Sequence, residues 1–218
     1  MANLESFIKK GGEILALLPK GDPQIRVALL DGPVNVTHPC LEKSSLQIRD
    51  PFEFCSQIGG KATEHGTQIA SIIFGQPETC LEGLAPLCQG ISIPIFRDET
   101  CGRIGGTSQL MLASAIEYAI EANATIINIS GGQITKEPFA DGILERIVNR
   151  CISDGVLIVS AAGNEGCADI RLPAALGGVL AVGAHDEADI PLETCNFGEP
   201  YRANGLLAPG KLVPVAGE

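Results

Sequence analysis

Short apolar runs rich in β-branched residues recur along the chain and alternate with stretches of helical periodicity. The runs are apolar at consecutive positions, which is typical of strands buried on both faces of a parallel sheet. Five such strands are predicted, over residues Ile25 to Leu30, Ile91 to Phe96, Thr125 to Ser130, Val156 to Ala161 and Val179 to Gly183.

Apolar residues recur every three or four positions between these strands, which predicts three helices. They cover about His65 to Phe74, Gln109 to Ala122 and Asp141 to Ser153. The predicted inward residues of the second and third helices are Leu110, Ala113, Ile116, Ile120, Ile143, Leu144, Ile147 and Val148. Alternating strands and helices predict an α/β fold, a three-layer doubly wound and mainly parallel sheet.

A length of 218 residues suits a single domain over residues 1–218. Residues 1–20 carry apolar positions at near-helical spacing and are expected to form a helical extension, although Gly11 and Gly12 weaken it. The apolar run in this segment has five residues and ends at Pro19, which is too short for a signal peptide or a membrane span. We therefore expect a cytoplasmic protein with reduced thiols and no membrane partner.

Charge and cysteine spacing narrow the possible functions. A net charge of -11 repels phosphate backbones, so nucleic acid is not expected as a partner. The eight cysteines include no Cys-x-x-Cys pair, and neither His38 nor His185 has a second ligand at metal spacing, so no metal or cofactor is expected. Most cysteines are interpreted as ordinary thiols, with Cys151 and Cys167 the first pair to test for a disulfide.

Three polar residues stand at the ends of predicted elements. Asp31 ends the first run, Asn164 follows the run from Val156, and His65 stands 34 positions after Asp31 at the start of a predicted helix. Functional residues of doubly wound sheets collect beyond the carboxyl ends of the strands. An imidazole oriented by a carboxylate can deprotonate a hydroxyl nucleophile, and a loop amide can donate to an oxyanion.

Each of these residues also has a purely structural alternative. Asp31 is explained alone as a turn or helix cap, His65 as a helix-start residue, and Asn164 as a left-handed turn between glycines. Their joint order and context favour the catalytic interpretation. The position expected for His65 at a helix amino terminus would also disfavour the imidazolium and keep the base neutral.

Ser130, Gly131 and Gly132 leave a predicted buried strand without a bulky side chain. Such a segment lets an extended peptide pair with its backbone as an added strand, which predicts a substrate-binding role. An ordinary loop entry that needs two glycines is the alternative.

With Asp31, His65 and Asn164 in this chain order, the sequence resembles the subtilisin family of serine proteases. The resemblance implies that Asn164 is the oxyanion amide and that the strand before Ser130 lines the specificity pocket. The family's Gly-Thr-Ser-x-Ala segment, which carries the nucleophile, does not occur before the sequence ends at Glu218. Gly106-Thr107-Ser108 imitates its beginning, but Ser108 precedes Asn164 and is better explained as a helix N-cap.

A narrower resemblance is to the subtilisin-type proteases that mature cyanobactins. The runs that carry it are 29–34, 38–40, 72–79, 93–96, 126–132, 161–167 and 207–210. It implies a ribosomal precursor peptide as the substrate. It also implies the leader-removing type of enzyme, because the macrocyclising type has an extra helical insertion between its Asp and His, and residues 32–64 are short and broken by prolines.

These observations predict a subtilisin-type serine endopeptidase that cleaves the leader from a cyanobactin precursor, with the nucleophilic serine outside this chain. The 218 residues alone are then expected to be inactive, with the missing carboxyl-terminal segment as a partner if it is a separate fragment. A peptide-binding pseudoprotease that holds a precursor without cleaving it is the alternative. A nucleotide-binding domain is the weakest hypothesis, because no strand is followed by a Gly-x-Gly-x-x-Gly or phosphate-binding Lys motif.

Overall fold

A parallel β-sheet dominates the computed structural model, which describes residues 19–56, 59–99, 102–136 and 139–217. In these ranges the main sheet has seven strands, which are β1 (Arg26–Asp31), β2 (Leu46–Ile48), β3 (Gln89–Pro94), β6 (Ile126–Ile129), β8 (Leu157–Ala161), β10 (Val179–His185) and β11 (Gly205–Pro209). Their order across the sheet is β11-β10-β8-β6-β1-β3-β2, and every neighbouring pair is parallel. The predicted parallel α/β sheet is confirmed.

Two small antiparallel pairs lie beside this sheet. They are β4 (Arg97–Asp98) with β5 (Ile104–Gly105), and β7 (Gln133–Thr135) with β9 (Ile170–Leu172). The helices are α1 (Lys61–Phe74), α2 (Gln109–Glu121) and α3 (Gly142–Asp154), with short 3-10 helices at Phe54–Ser56 and Glu199–Tyr201. No helix within the described ranges is long and apolar enough to cross a membrane.

Helices cover both faces of the sheet, as the continuous apolar runs predict. Successive side chains of a strand point to opposite faces, so β1 contributes to two separate cores. Ala28 and Leu30 pack in the cluster that contains residues of α2 and α3, while Val27 and Leu29 pack with residues of α1. The three-layer arrangement follows directly from this division of β1.

The prediction that Leu110 and Ile143 face the protein interior is wrong. Leu110 is 58% exposed and Ile143 is 39% exposed, whereas Ile116 and Leu144 are fully buried. Both misplaced residues lie in the first turn of their helices, at the edge of the apolar stripe. The prediction for residues 1–18 of the amino-terminal extension falls outside the described part of the chain.

The strand order creates a switch point beside β1. The chain passes from β1 to β3 on one side of the sheet centre and then returns to β6 on the other side. The carboxyl ends of β1, β6 and β8 therefore lie next to one another, and the crevice above a switch point is where doubly wound folds bind ligands. Asp31, Ser130 and Asn164 follow or end these three strands.

Candidate active site

Asp31 and His65 form a direct hydrogen bond. His65 Nδ1 lies 2.7 Å from Asp31 Oδ1, and the same oxygen accepts a 2.6 Å hydrogen bond from the Gly32 backbone N–H. Asp31 is only 1% exposed, so this carboxylate is shielded from water and fixed by its neighbours. An ionised, fixed carboxylate on Nδ1 holds the imidazole in the tautomer whose other nitrogen, Nε2, can accept a proton.

The pKa of His65 is raised. The hydrogen bond to Asp31 is the largest cause, partial burial of the ring opposes it, and the negative charge of Asp31 adds to the rise. The expectation that His65 begins its helix is wrong, since α1 starts at Lys61 and His65 is its fifth residue. The helix dipole acts mainly within the first turn, so Asp31 and not the dipole sets the basicity of this imidazole.

Two glycines allow β1 and α1 to approach closely enough for this contact. A Cβ atom on Gly32 would lie 1.9 Å from the Ala62 carbonyl oxygen, and one on Gly66 would lie 2.4 Å from the Gly32 carbonyl oxygen. Any side chain at either position would push the helix away from the strand. The glycines that follow Asp31 and His65 in the sequence are therefore a steric requirement of the dyad.

Asp98 fixes the start of α1. Its carboxylate accepts hydrogen bonds from the backbone N–H groups of Gly60 and Ala62, at 3.1 and 2.6 Å, and from Thr63 Oγ1 at 2.7 Å. Burial alone would raise the pKa of Asp98, but the Thr63 hydroxyl and the backbone donors outweigh it, and the pKa is lowered. This side chain supplies the cap that the N-cap residue Gly60 lacks.

Asn164 lies in the exposed loop that follows β8, two strands away from β1. Two strand spacings amount to about 10 Å, a separation that a substrate peptide can bridge. The loop is built around Gly163, whose φ of 114° belongs to the region that favours glycine. The topology thus brings Asp31, His65 and Asn164 to the same edge of the sheet.

A network that the sequence analysis missed supports the Asn164 loop. Glu165 and Arg171 form an ion pair, and Glu165 Oε2 also accepts a 2.6 Å hydrogen bond from Asn196 Nδ2. Asn196 is 4% exposed, and its Oδ1 accepts a 3.0 Å hydrogen bond from the Glu165 backbone N–H. Asn196 Nδ2 also donates a 3.2 Å hydrogen bond to the Ala162 carbonyl oxygen, so residues on both sides of Asn164 are fixed to a buried amide from a distant part of the chain.

The same arginine reaches the predicted substrate-binding segment. Arg171 donates a 3.0 Å hydrogen bond from Nη1 to the Gly132 carbonyl oxygen, while the Ser130 hydroxyl accepts a 2.8 Å hydrogen bond from Asn128 Nδ2. Immediately after Gly132, β7 pairs with the strand that contains Arg171. Arg171 therefore joins the Ser130–Gly132 segment to the loop of Asn164.

Replacing Arg171 by alanine is expected to lower the free energy of unfolding by about 1–3 kcal/mol, because Glu165 Oε1 loses its ion-pair partner and the Gly132 carbonyl oxygen loses this donor. Urea denaturation monitored by circular dichroism measures the loss. Arg202→Ala is the matched control, since Arg202 pairs with Glu199 while 79% exposed, and its loss should cost under about 0.5 kcal/mol. Equal costs for the two variants would show that the network does not hold the loops.

The remaining candidate residues have structural surroundings. Ser108 is the N-cap of α2 and its hydroxyl accepts a 3.1 Å hydrogen bond from the Met111 backbone N–H, which confirms the cap prediction. Cys151 and Cys167 are both free thiols and do not pair. Burial, with a smaller contribution from Asp154, raises the pKa of Cys151 to about 11, so this thiol stays protonated near neutral pH.

Sequence spacing gives neither His38 nor His185 a second metal ligand. In the structure His185 contacts its own loop through the Asp186 carbonyl oxygen, whereas two cysteine thiols lie beside His38. His38 Nδ1 is 3.0 Å from Cys40 Sγ, and the ligand atoms of His38, Cys40 and Cys80 all lie within 4.8 Å of one another. Sequence spacing did not reveal this group, because Cys80 comes from a loop 40 positions after Cys40.

Comparison with known proteins places this geometry in a family. The profile described as the Subtilase family matches residues 22–211. The Major intracellular serine protease of Bacillus subtilis (strain 168) is 30% identical over 214 residues, which cover 93% of this chain and 62% of that protein. The chain thus spans less than two thirds of the length of this curated relative.

Two solved structures are similar to this chain over most of its length. The patellamide maturation protease PatA is 49% identical with a TM-score of 0.77, and the match covers 87% of this chain and 67% of that chain. The PatG macrocyclase, solved in complex with peptide, is 28% identical with a TM-score of 0.78, covering 93% of this chain and 70% of that chain. The predicted resemblance to cyanobactin maturation proteases is confirmed.

Proposed function

The chain belongs to the subtilase family, and from this membership we propose that it is the Asp-His-Asn portion of a serine endopeptidase that matures a ribosomal cyanobactin precursor. The hydrogen bond of 2.7 Å between Asp31 and His65 carries this proposal. A buried carboxylate on Nδ1 of a partly exposed imidazole is the arrangement that a hydroxyl nucleophile needs for activation.

Each residue has a defined part in the proposed reaction. His65 Nε2 takes the proton of the serine hydroxyl as its oxygen attacks the scissile carbonyl carbon, and Asp31 stabilises the imidazolium that forms. The Asn164 amide donates to the oxyanion of the tetrahedral intermediate. His65 then gives its proton to the leaving amine, and water hydrolyses the acyl-enzyme with the same imidazole as base.

The nucleophile is proposed to come from residues beyond Glu218. The sequence contains no serine after Ser160, which is 1% exposed within β8 and points into the protein interior. Ser108 has a structural role as the cap of α2. The 218 residues alone are therefore proposed to be inactive, and the carboxyl-terminal segment completes the site.

Two observations support removal of a leader by hydrolysis. Between Gly32 and the first residue of α1, the described residues form β2 and one 3-10 helix but no α-helix, unlike the insertion expected of a macrocyclising enzyme. Identity to the PatA maturation protease is 49%, against 28% for the PatG macrocyclase. Because that PatG structure holds a peptide, we propose that Ser130, Gly131 and Gly132 bind the precursor as an added strand.

Incubation of a leader-bearing precursor with a version of the protein extended past Glu218 tests this proposal. Mass spectrometry should show a free leader and a hydrolysed, linear core peptide, with no product from the 218-residue chain. Ser108→Ala is the control variant and should leave cleavage unchanged. If the folded, extended protein binds the precursor without cutting it, the peptide-binding pseudoprotease is the correct hypothesis. If Ser108→Ala abolishes cleavage, Ser108 is the nucleophile and the proposed position beyond Glu218 is wrong.

A further inference from the structure

His38, Cys40 and Cys80 form a cluster of three metal-binding side chains outside the proposed active site. Cys40 is fully buried, His38 is half-buried and Cys80 is exposed, so the cluster opens to solvent on the side of Cys80. Two thiolates and one imidazole are a ligand set that Zn²⁺ prefers.

The hydrogen bonds of His38 fix which ring nitrogen can bind a cation. His38 Nε2 lies 3.1 Å from the Gly217 carbonyl oxygen, which can only accept a hydrogen bond. Nε2 must therefore carry the proton, and Nδ1 is the acceptor, which takes a 3.3 Å hydrogen bond from the Cys40 backbone N–H and lies 3.0 Å from Cys40 Sγ. A cation bound to Nδ1 would replace that backbone hydrogen bond. Metal-binding histidines commonly donate their second N–H to a backbone carbonyl in this way.

The loop that carries Cys80 is fixed against Cys40. The backbone N–H of Gln76 donates a 2.8 Å hydrogen bond to the Cys40 carbonyl oxygen. The hydroxyl of Thr79, next to Cys80, bonds to the carbonyl oxygens of Gln76 and Leu81 at 2.6 and 3.0 Å. Both thiols are therefore held in place by backbone contacts that do not depend on a bound ion.

We propose that His38 Nδ1, Cys40 Sγ and Cys80 Sγ bind a Zn²⁺-type cation, with water in the fourth position. Zinc bonds of about 2.0–2.3 Å in a tetrahedral site place neighbouring ligand atoms roughly 3.6 Å apart. This distance lies between the 3.0 Å contact of His38 with Cys40 and the 4.8 Å that bounds the whole cluster. Small side-chain rotations are enough to close the site around an ion.

The ion would join the two segments that follow the dyad residues. His38 and Cys40 lie on the loop that leaves β1 after Asp31, and Cys80 lies on the loop that leaves α1, the helix of His65. Through His38 the site also holds Gly217, whose neighbour Ala216 donates a 2.9 Å backbone hydrogen bond to Ser71 of α1. Metal binding should therefore stabilise the side of the fold that carries the dyad.

Titration of the reduced, metal-free 218-residue chain with Co²⁺ tests the site directly. We expect saturation at one ion per chain, sulfur-to-cobalt charge-transfer absorption and the visible bands of a tetrahedral complex, all abolished by added Zn²⁺. Cys80→Ser and His38→Gln should weaken binding by more than about a hundredfold, since changes around a ligand alone cost about 10–100-fold. Cys55→Ser is the matched control, because Cys55 is a free thiol outside the cluster.

Other results would overturn the proposal. If the sulfur-to-cobalt absorption is absent, or if the bands are equally strong in a folded Cys80→Ser variant, no ion binds at the cluster. A disulfide between Cys40 and Cys80 in protein purified without reductant or chelator would also contradict it, because we expect bound zinc and free thiols in that preparation. Neither the titration nor the preparation depends on protease activity, so the proposed function is tested separately.

Discussion

Replacing Asp31 by asparagine in the extended protein is expected to lower kcat by about ten-thousand-fold, the loss known for the equivalent change in a serine-protease triad. The amide keeps the shape of the carboxylate but can hold the imidazole in the wrong tautomer, and it cannot stabilise the imidazolium. The Asp31 contact with His65 is 2.7 Å, so both functions depend on this one oxygen. Steady-state cleavage of a fluorogenic precursor fragment measures the loss.

The pH profile separates this mechanism from simple unfolding. In the proposed mechanism only neutral His65 is active. Because its pKa is raised, we expect the activity to be lost, as the pH is lowered, at a higher pH than with an ordinary imidazole. Without the Asp31 charge, the acid limb of the residual activity should move to lower pH. Asp22→Asn is the matched control, because Asp22 is exposed ahead of β1, and it should change neither kcat nor the profile. An unshifted acid limb in Asp31→Asn would contradict the dyad.

Replacing Asn164 by alanine is expected to lower kcat by about 10²–10³-fold with little change in KM, the range known for an oxyanion amide in a subtilisin. The interaction forms only when the carbonyl oxygen becomes an oxyanion, so the ground-state complex is not weakened. Asn164 is exposed, and its loop is held by Glu165 and Asn196, so the variant should stay folded.

Asn149→Ala, on the exposed face of α3, is the control for this experiment and should leave both constants unchanged. A rise in KM at constant kcat in Asn164→Ala would instead assign Asn164 to substrate binding. Unchanged constants would show that its amide does not face the reacting carbonyl.

The fold could be predicted because burial on both faces leaves a strong local signal. The apolar run of β1 has no polar alternation, five of the six residues of this strand are buried, and the strand lies within one residue of its predicted bounds. The inward faces of the helices were predicted less accurately than the strands. Leu110 and Ile143 continue the apolar period of their helices but are exposed, because an apolar period alone does not record which of its positions the rest of the fold covers.

The dyad was predictable and its surroundings were not. Asp31 ends β1 and His65 lies in the second turn of α1, and each is followed by a glycine that the close packing requires. In contrast, Arg171 joins two loops across 39 positions, and Cys80 meets Cys40 through a long loop. Contacts of this kind depend on the path of the chain between elements, which residue spacing does not encode.

Titration of the histidine side chains by NMR tests the central claim most directly, and the chain has three histidines to assign. We predict that His65 in the folded 218-residue chain titrates above the ordinary pKa of histidine, and that Asp31→Asn lowers this pKa. A His65 with an ordinary pKa that does not respond to Asp31→Asn would contradict the account, because the imidazole would then have no carboxylate to orient it.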